Sequence, residues 1–241
     1  AFLLGLAVAC IVFLAVTADA LDQRARADAQ GIDLIVGPKG SPLQLVLAAL
    51  YHIDVSPGNI PKTQADQLAK NPMIAKAVPI NLGDNYRGFR IVGTDTKAFT
   101  ELYGVLPASG NLPFQAMQAV IGSQVPARTG LTVGSRFAGA HGLAQGGSEH
   151  KEDVYTVTGI LAPTGTVMDR LILTPLESVW LVHEGEVSDI AERKILEAER
   201  EYSALLIRYR TPIAAAILPR NINASDKLQA ASPAVESARL F

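Results

Sequence analysis

Residues 1–17, AFLLGLAVACIVFLAVT, carry no charge, and the polar remainder of the 241-residue chain begins at Asp19. A spanning helix needs about 20 apolar residues, at 1.5 Å rise each, to cross roughly 30 Å of hydrocarbon. The run is a few residues short of that and opens without methionine. It is therefore expected to be a truncated transmembrane helix over residues 1–18, with the rest of the chain working on a membrane, outside the cytoplasm. Two rival readings fit less well. A secretory signal has a basic start and an apolar stretch of about 7–15 residues; here the basic start is missing, although Thr17-Ala18-Asp19-Ala20 resembles a weak cleavage site. A lipoprotein signal would place Cys10 at a new N-terminus, yet Ile11 to Val16 stay apolar beyond it. The flank Asp19, Asp22, Arg24, Arg26, Asp28 is charge-balanced, so the positive-inside rule does not set orientation.

The chain is 49% hydrophobic and 18% charged, with net charge −2 and interspersed signs, which argues against nucleic-acid binding. Cys10, the single cysteine, lies in the apolar run, so the soluble part has neither a disulfide nor a thiolate metal site.

Four Ser/Thr-Pro pairs mark expected helix starts, since a hydroxyl caps and proline fits the first turn. Ser41-Pro42-Leu43-Gln44 has capping-box form and opens a helix through Leu50; Thr174-Pro175 opens one through about Val182. Thr211-Pro212 precedes a short helix Ile213 to Leu218, and Ser232-Pro233 begins another. Further helices are expected at Thr96 to Tyr103, closed by Gly104, and at Ser188 to Arg200, with Arg193/Glu197 and Glu197/Arg200 as neighbouring opposite charges. Strands are expected at Ile32 to Val36, Ile74 to Leu82, Tyr86 to Thr94, Glu152 to Leu161, Leu171 to Leu173 and Tyr202 to Tyr209. Gly83-Asp84-Asn85 suits a hairpin turn, and glycine-rich Gly130 to Gly147 reads as an exposed loop. Without a steady βαβ beat the chain reads as α+β.

Motifs that carry chemistry are scarce in this sequence. No G-x-S-x-G nucleophile elbow occurs. Gly37-Pro38-Lys39-Gly40-Ser41 superficially resembles a phosphate loop, but Gly40 separates Lys39 from Ser41 and proline removes a donor. His141 and His150, with Glu149 and Glu152, could hold zinc if their loop folded back, but their spacing matches no tight ligand motif. His52 and His183, at helix ends, read as capping or surface residues. Asp22 and Asp28, and likewise Glu184 and Glu186, read as solvated carboxylates. No catalytic, cofactor-binding or metal-binding residue is assigned.

Two stretches are more distinctive: Gly31 to Gln44 (GIDLIVGPKGSPLQ) and Tyr155 to Arg170 (YTVTGILAPTGTVMDR). Between them stand Phe89-Arg90-Ile91-Val92-Gly93-Thr94, then Phe99 to Tyr103, then Ala119-Val120-Ile121-Gly122. In this order they resemble the extracytoplasmic domain of MacB/FtsX-type ABC transporter permeases. The resemblance implies a two-lobed extracytoplasmic core over residues 19–231: a porter-like α+β lobe with an inserted, mainly-β lobe at about 104–170. Residues 232–241 would then start the connection to the next transmembrane helix. It further implies a non-catalytic permease subunit without cofactor, in a bacterial inner membrane, its bulk periplasmic. Its expected partners are a cytoplasmic ABC ATPase on a separate chain, a second permease subunit in a homo- or heterodimer, membrane lipid and a periplasmic partner; no nucleic acid is expected. Such a domain would couple ATP-driven helix motion to export or envelope traffic, and the cargo is not legible. Pro163-Thr164-Gly165 supplies turn chemistry, an Asp169–Arg170 ion pair is expected to fix the junction, and the turn is expected to couple the two lobes. The alternative is an anchored or secreted periplasmic module that binds a ligand or metal. An anchored enzyme lacks a convincing constellation of site residues.

Overall fold

The computed structural model describes residues 2–141, 149–184 and 189–239. Helix α1 (Phe2–Asp28) does not stop at residue 18. Its second half, rich in alanine, leucine, glutamine and arginine, keeps high helix propensity, supported by Asp22–Arg26 (2.8 Å) and Asp19–Gln23 (2.7 Å) contacts. The result is a rod of 27 residues, about 40 Å long.

The body follows as β1 (Leu34–Pro38), α2 (Pro42–Ala49), β2 (Ile60–Pro61), α3 (Lys62–Ala69), β3 (Ile74–Tyr86), β4 (Phe89–Thr94) and α4 (Thr96–Leu102). The middle comprises β5 (Pro107–Gly110), β6 (Gln118–Ile121), α5 (Val125–Thr129), β7 (Arg136–His141) and β8 (Glu149–Leu161), then a 3-10 turn at Val167–Arg170. Last come β9 (Leu171–Pro175), α6 (Leu176–Glu184), α7 (Ile190–Glu199), β10 (Glu201–Tyr202), β11 (Ala204–Tyr209), α8 (Ala214–Asn223), β12 (Leu228–Ala231) and α9 (Pro233–Ser237).

Among the described residues ten strands form one mixed sheet, in the order β12-β1-β11-β3-β4-β9-β6-β8-β5. β7 pairs with both β3 and β8, so β3, β4, β9, β6, β8 and β7 close into a ring. The β4–β9 and β6–β8 pairs are parallel and the other pairs antiparallel. The architecture is mixed α+β, and the expected middle segment contributes β5 to β8 to the same sheet as the flanking segments.

The central strands are apolar on both faces, which explains why they read as unbroken hydrophobic runs rather than alternating ones. Along β1, Leu34 and Val36 enter one core with Leu205, Ile207, Leu218, Ile222 and Trp180, under α3, α6 and α8. Ile35 enters a second with Leu45, Val46, Val78, Val92 and Phe99, under α2 and α4. A third core fills the strand ring with Phe89, Ile91, Ile121, Phe137, Tyr155 and Ile172. Close approach is built in at Gly122, where a Cβ would lie 2.3 Å from the Met168 carbonyl oxygen.

Several local expectations need correction. The first hairpin turns at Arg87-Gly88, not at Gly83–Asn85: both residues have positive φ (+50° and +85°), and Tyr86 pairs with Phe89. That is the geometry of a two-residue mirror-image turn, whose twist matches the strands. Gly83 and Asp84 instead form a bulge between Leu82 and Asn85. Of the four hydroxyl-Pro pairs expected to start helices only Ser41 caps, accepting from the Gln44 amide at 3.3 Å. Thr174 is drawn into the sheet, donating to the Gln118 carbonyl (2.8 Å), and α8 and α9 have no side-chain cap. α8 starts at Ala214 and runs to Asn223, beyond the expected Leu218. The strand expected over Tyr202 to Tyr209 breaks at Ser203, whose amide is taken by the Ile80 carbonyl and the Asn81 side chain. Part of the supposed loop Gly130 to Gly147 is strand β7, paired to β8.

Candidate functional site

The place where α1 meets the body gathers residues from across the chain. The helix ends at Asp28, and Gly31 (φ +82°) turns the backbone so that its Cα lies hard against the Leu102 carbonyl, where a Cβ would sit at 2.9 Å. Asp33 then donates its amide to Ile207 (2.9 Å) and accepts from the Tyr209 amide (2.7 Å). The link from the α1 rod to β1 is therefore short and hydrogen-bonded at both ends.

Four elements hold the foot of the rod. Asp28 is 3% exposed, and its Oδ1 accepts the Val167 backbone amide at the 3-10 turn. The Tyr103 hydroxyl, at the end of α4, donates to the Asp28 carbonyl (3.1 Å). The Tyr51 hydroxyl, just after α2, reaches the Ala25 carbonyl (3.5 Å) and shares a 2.6 Å hydrogen bond with Ser237 of α9. Burial raises the pKa of both tyrosines, so both stay neutral donors. α9 directly follows β12, which pairs with β1, so α9 sits beside the foot of α1.

The turn gripping Asp28 is itself a closed unit. Asp169 accepts from the Thr164 amide (2.8 Å), the Thr164 hydroxyl (2.9 Å) and the Gly165 amide (2.8 Å). Burial opposes its charge, but these donors hold its pKa below the usual carboxylate value. Thr166 caps the 3-10 turn through the Met168 amide (3.3 Å). The expected Asp169–Arg170 ion pair is not made, because backbone amides have taken the carboxylate; the Arg170 Nε is buried without a hydrogen-bond partner.

Other expected residues also move. Asp28 is not a solvated carboxylate but the buried anchor of α1. Glu184 is a half-buried partner of Arg200 (3.0 and 3.1 Å), and that guanidinium also stacks on Trp180, 4.5 Å from the ring centre. Arg200 therefore turns toward α6, and the expected neighbour Glu197 adds a weaker charge interaction. His52 is not a surface cap: it is 8% exposed, has positive φ (+55°), and neither ring nitrogen has a partner. His183 is exposed at the end of α6. For the zinc expectation, the backbone pairing places His141 opposite Asp84 and Glu149 opposite Ala140; the side chains of His141, Glu149, His150 and Glu152 lie outside the described residues. No group of three potential metal ligands occurs among the described residues.

Nothing local in the sequence announces the Asp28–Val167 contact, which spans 139 residues. The two stretches singled out above, Gly31 to Gln44 and Tyr155 to Arg170, are nevertheless the ones that flank this junction.

No family model matches the chain, and no curated protein matches it. Its fold is similar to that of the periplasmic region of MacB from Actinobacillus actinomycetemcomitans, with TM-score 0.54 and 11% identity, covering 88% of this chain and 95% of that one. A looser likeness is to the extracellular domain of the noncanonic ABC-type transporter YknZ from Gram-positive bacteria (TM-score 0.45, 13% identity, 83% of this chain and 98% of that one). The chain thus has the MacB-type periplasmic fold, with an N-terminal helix long and apolar enough to cross a membrane.

Proposed function

We propose that this chain is the first membrane helix and extracytoplasmic domain of an ABC transporter permease subunit, anchored in a bacterial inner membrane. The domain is non-catalytic. It works with an ATPase on a separate chain and with a second permease subunit, and it couples motion of the membrane helices to export or envelope traffic. The observation that carries this reading is the continuous rod α1, whose foot is clamped by Asp28, Tyr51 and Tyr103 beside α9. A helix is stiff along its axis, so displacement of its apolar half passes to the foot and through the short link into β1. The fold likeness supports the same assignment. The segment 104–170 is the lobe that the 3-10 turn would move, since that turn holds the Asp28 carboxylate.

The test uses the whole permease reconstituted with its ATPase. ATP should alter hydrogen-exchange protection of the Val167 and Ser237 amides. The double substitution Ala20→Gly and Leu21→Gly softens the rod by about 1 kcal/mol of helix propensity per glycine. It should abolish that ATP response while hydrolysis continues. Failure of any ATPase to co-purify with the full-length protein, or an undiminished response in the diglycine variant, would refute the coupling.

A further inference from the structure

Beside the foot of α1 lies a cavity of about 950 Å³, bounded by Tyr51 and His52 after α2, the β3–β4 hairpin, α5 and the 3-10 turn. Four guanidinium groups line it, those of Arg87, Arg90, Arg128 and Arg170, and no carboxylate does. Asp54 and Asp84 act on Arg90 from behind and Asp28 acts on Arg170, but none of these carboxylates lines the cavity. Like charges around one cavity repel, and the repulsion is strongest where walls exclude water.

Three of the lining side chains carry nitrogens that are sealed from water and unpartnered in the protein, so a ligand in the cavity meets them only when those side chains turn toward it. Arg90 is 6% exposed; one of its terminal nitrogens donates to the Asp54 carbonyl, but its Nε has no partner. The Arg170 Nε is also buried and unpartnered, as are both ring nitrogens of His52. A buried donor without an acceptor costs about 1–3 kcal/mol, more when charged, so several in one cavity are a standing deficit. A tetrahedral oxyanion in the cavity gives those side chains an acceptor to turn toward. It accepts several N–H donors at once, and the guanidinium fork matches its paired oxygens.

We propose that this cavity is a binding site for a phosphate-class oxyanion, with Arg90, Arg170 and His52 as its inner donors and Arg87 and Arg128 as its rim. Burial, with Arg90 and Arg170 nearby, lowers the His52 pKa to about 3, so the imidazole is neutral and offers one N–H without adding charge. The volume exceeds what bare phosphate fills and suits a ligand that carries a phosphate on a larger body. That body is either a phospholipid, whose headgroup brings the phosphate, or a soluble phosphorylated molecule. The site shares Tyr51 and Val167 with the clamp on α1, so an occupied cavity would bear directly on the rod. The proposal does not depend on the permease reading.

The experiment titrates the full chain, in uncharged detergent, with inorganic pyrophosphate and separately with short-chain phosphatidylglycerol, following His52 ring signals by NMR. Saturable binding of either probe is expected, weakened at least tenfold by Arg170→Gln and by rim substitution Arg128→Gln. Arg128 is exposed, so its variant tests the site without a buried change. Lys227→Gln, distant from the cavity and exposed, should leave affinity unchanged. Saturation by pyrophosphate alone identifies a soluble phosphate ligand, and saturation by the lipid identifies a headgroup. Failure of both probes to saturate, or equal weakening by Lys227→Gln, overturns the site.

Discussion

Replacing Asp28 with alanine removes the hydrogen bond that ties the rod's last residue by its side chain to the middle of the chain, the bond from the Val167 amide. Val167 is 1% exposed, so water cannot readily replace the lost acceptor. An orphaned buried amide costs about 1–3 kcal/mol. Two smaller effects oppose this. A carboxylate at a helix C-terminus is disfavoured by about 0.3–1 kcal/mol, and alanine is the better helix former by roughly 0.5 kcal/mol. The net destabilisation centres on about 1 kcal/mol, which for a body of this size lowers Tm by roughly 2–4 °C. Asp28→Asn keeps an acceptor oxygen and sheds the unfavourable charge, so it should stay within about 1 kcal/mol of the parent. Thermal melts of the full chain in detergent give the stability, and hydrogen exchange at the Val167 amide reports the bond. If Asp28→Ala melts like the parent with Val167 still protected, or Asp28→Asn is as damaging as alanine, the clamp does not act as argued.

Other outcomes follow from single positions. Gly165 sits at φ +73° with open space around its Cα, so Gly165→Val should cost about 1–2 kcal/mol through backbone strain alone, read as a shift in urea midpoint without change in slope. Phe99 is fully buried in the core under α4, and Phe99→Ala should cost about 3–5 kcal/mol by calorimetry. His52 is held neutral far below its ordinary value of 6.5, so its contribution is complete above that pH and declines as pH falls toward about 3. Denaturation across pH should show the protein losing roughly 2 kcal/mol relative to His52→Leu between 6.5 and about pH 5, and parallel curves would refute the buried neutral imidazole.

Much of the fold was legible because its causes are local. Ser41 caps α2, accepting from the Gln44 amide at 3.3 Å. The runs Leu34–Val36 and Ala204–Ile207 read as strands because β-branched and apolar residues suit a sheet covered on both faces. Local reasoning failed where a non-local partner competed. Thr174 looked like a cap but was claimed by Gln118 from a neighbouring strand, and Gly83 looked like a turn until Arg87-Gly88 supplied the tighter one.

The site was less legible for the same reason. An apolar run of seventeen residues determines by itself that this chain carries a helix fit for lipid, and the order of its strand and turn signals determines a mixed α+β body. Which polar side chains lie in water was decided only by tertiary structure. Asp28 and His52 have the same composition signature as any surface residue, and they are buried because chain 139 residues away, or a hairpin and an arginine-lined wall, closes over them. Hydropathy travels along the sequence, whereas burial, hydrogen-bond partnership and local charge belong to surfaces that exist only once distant segments have met.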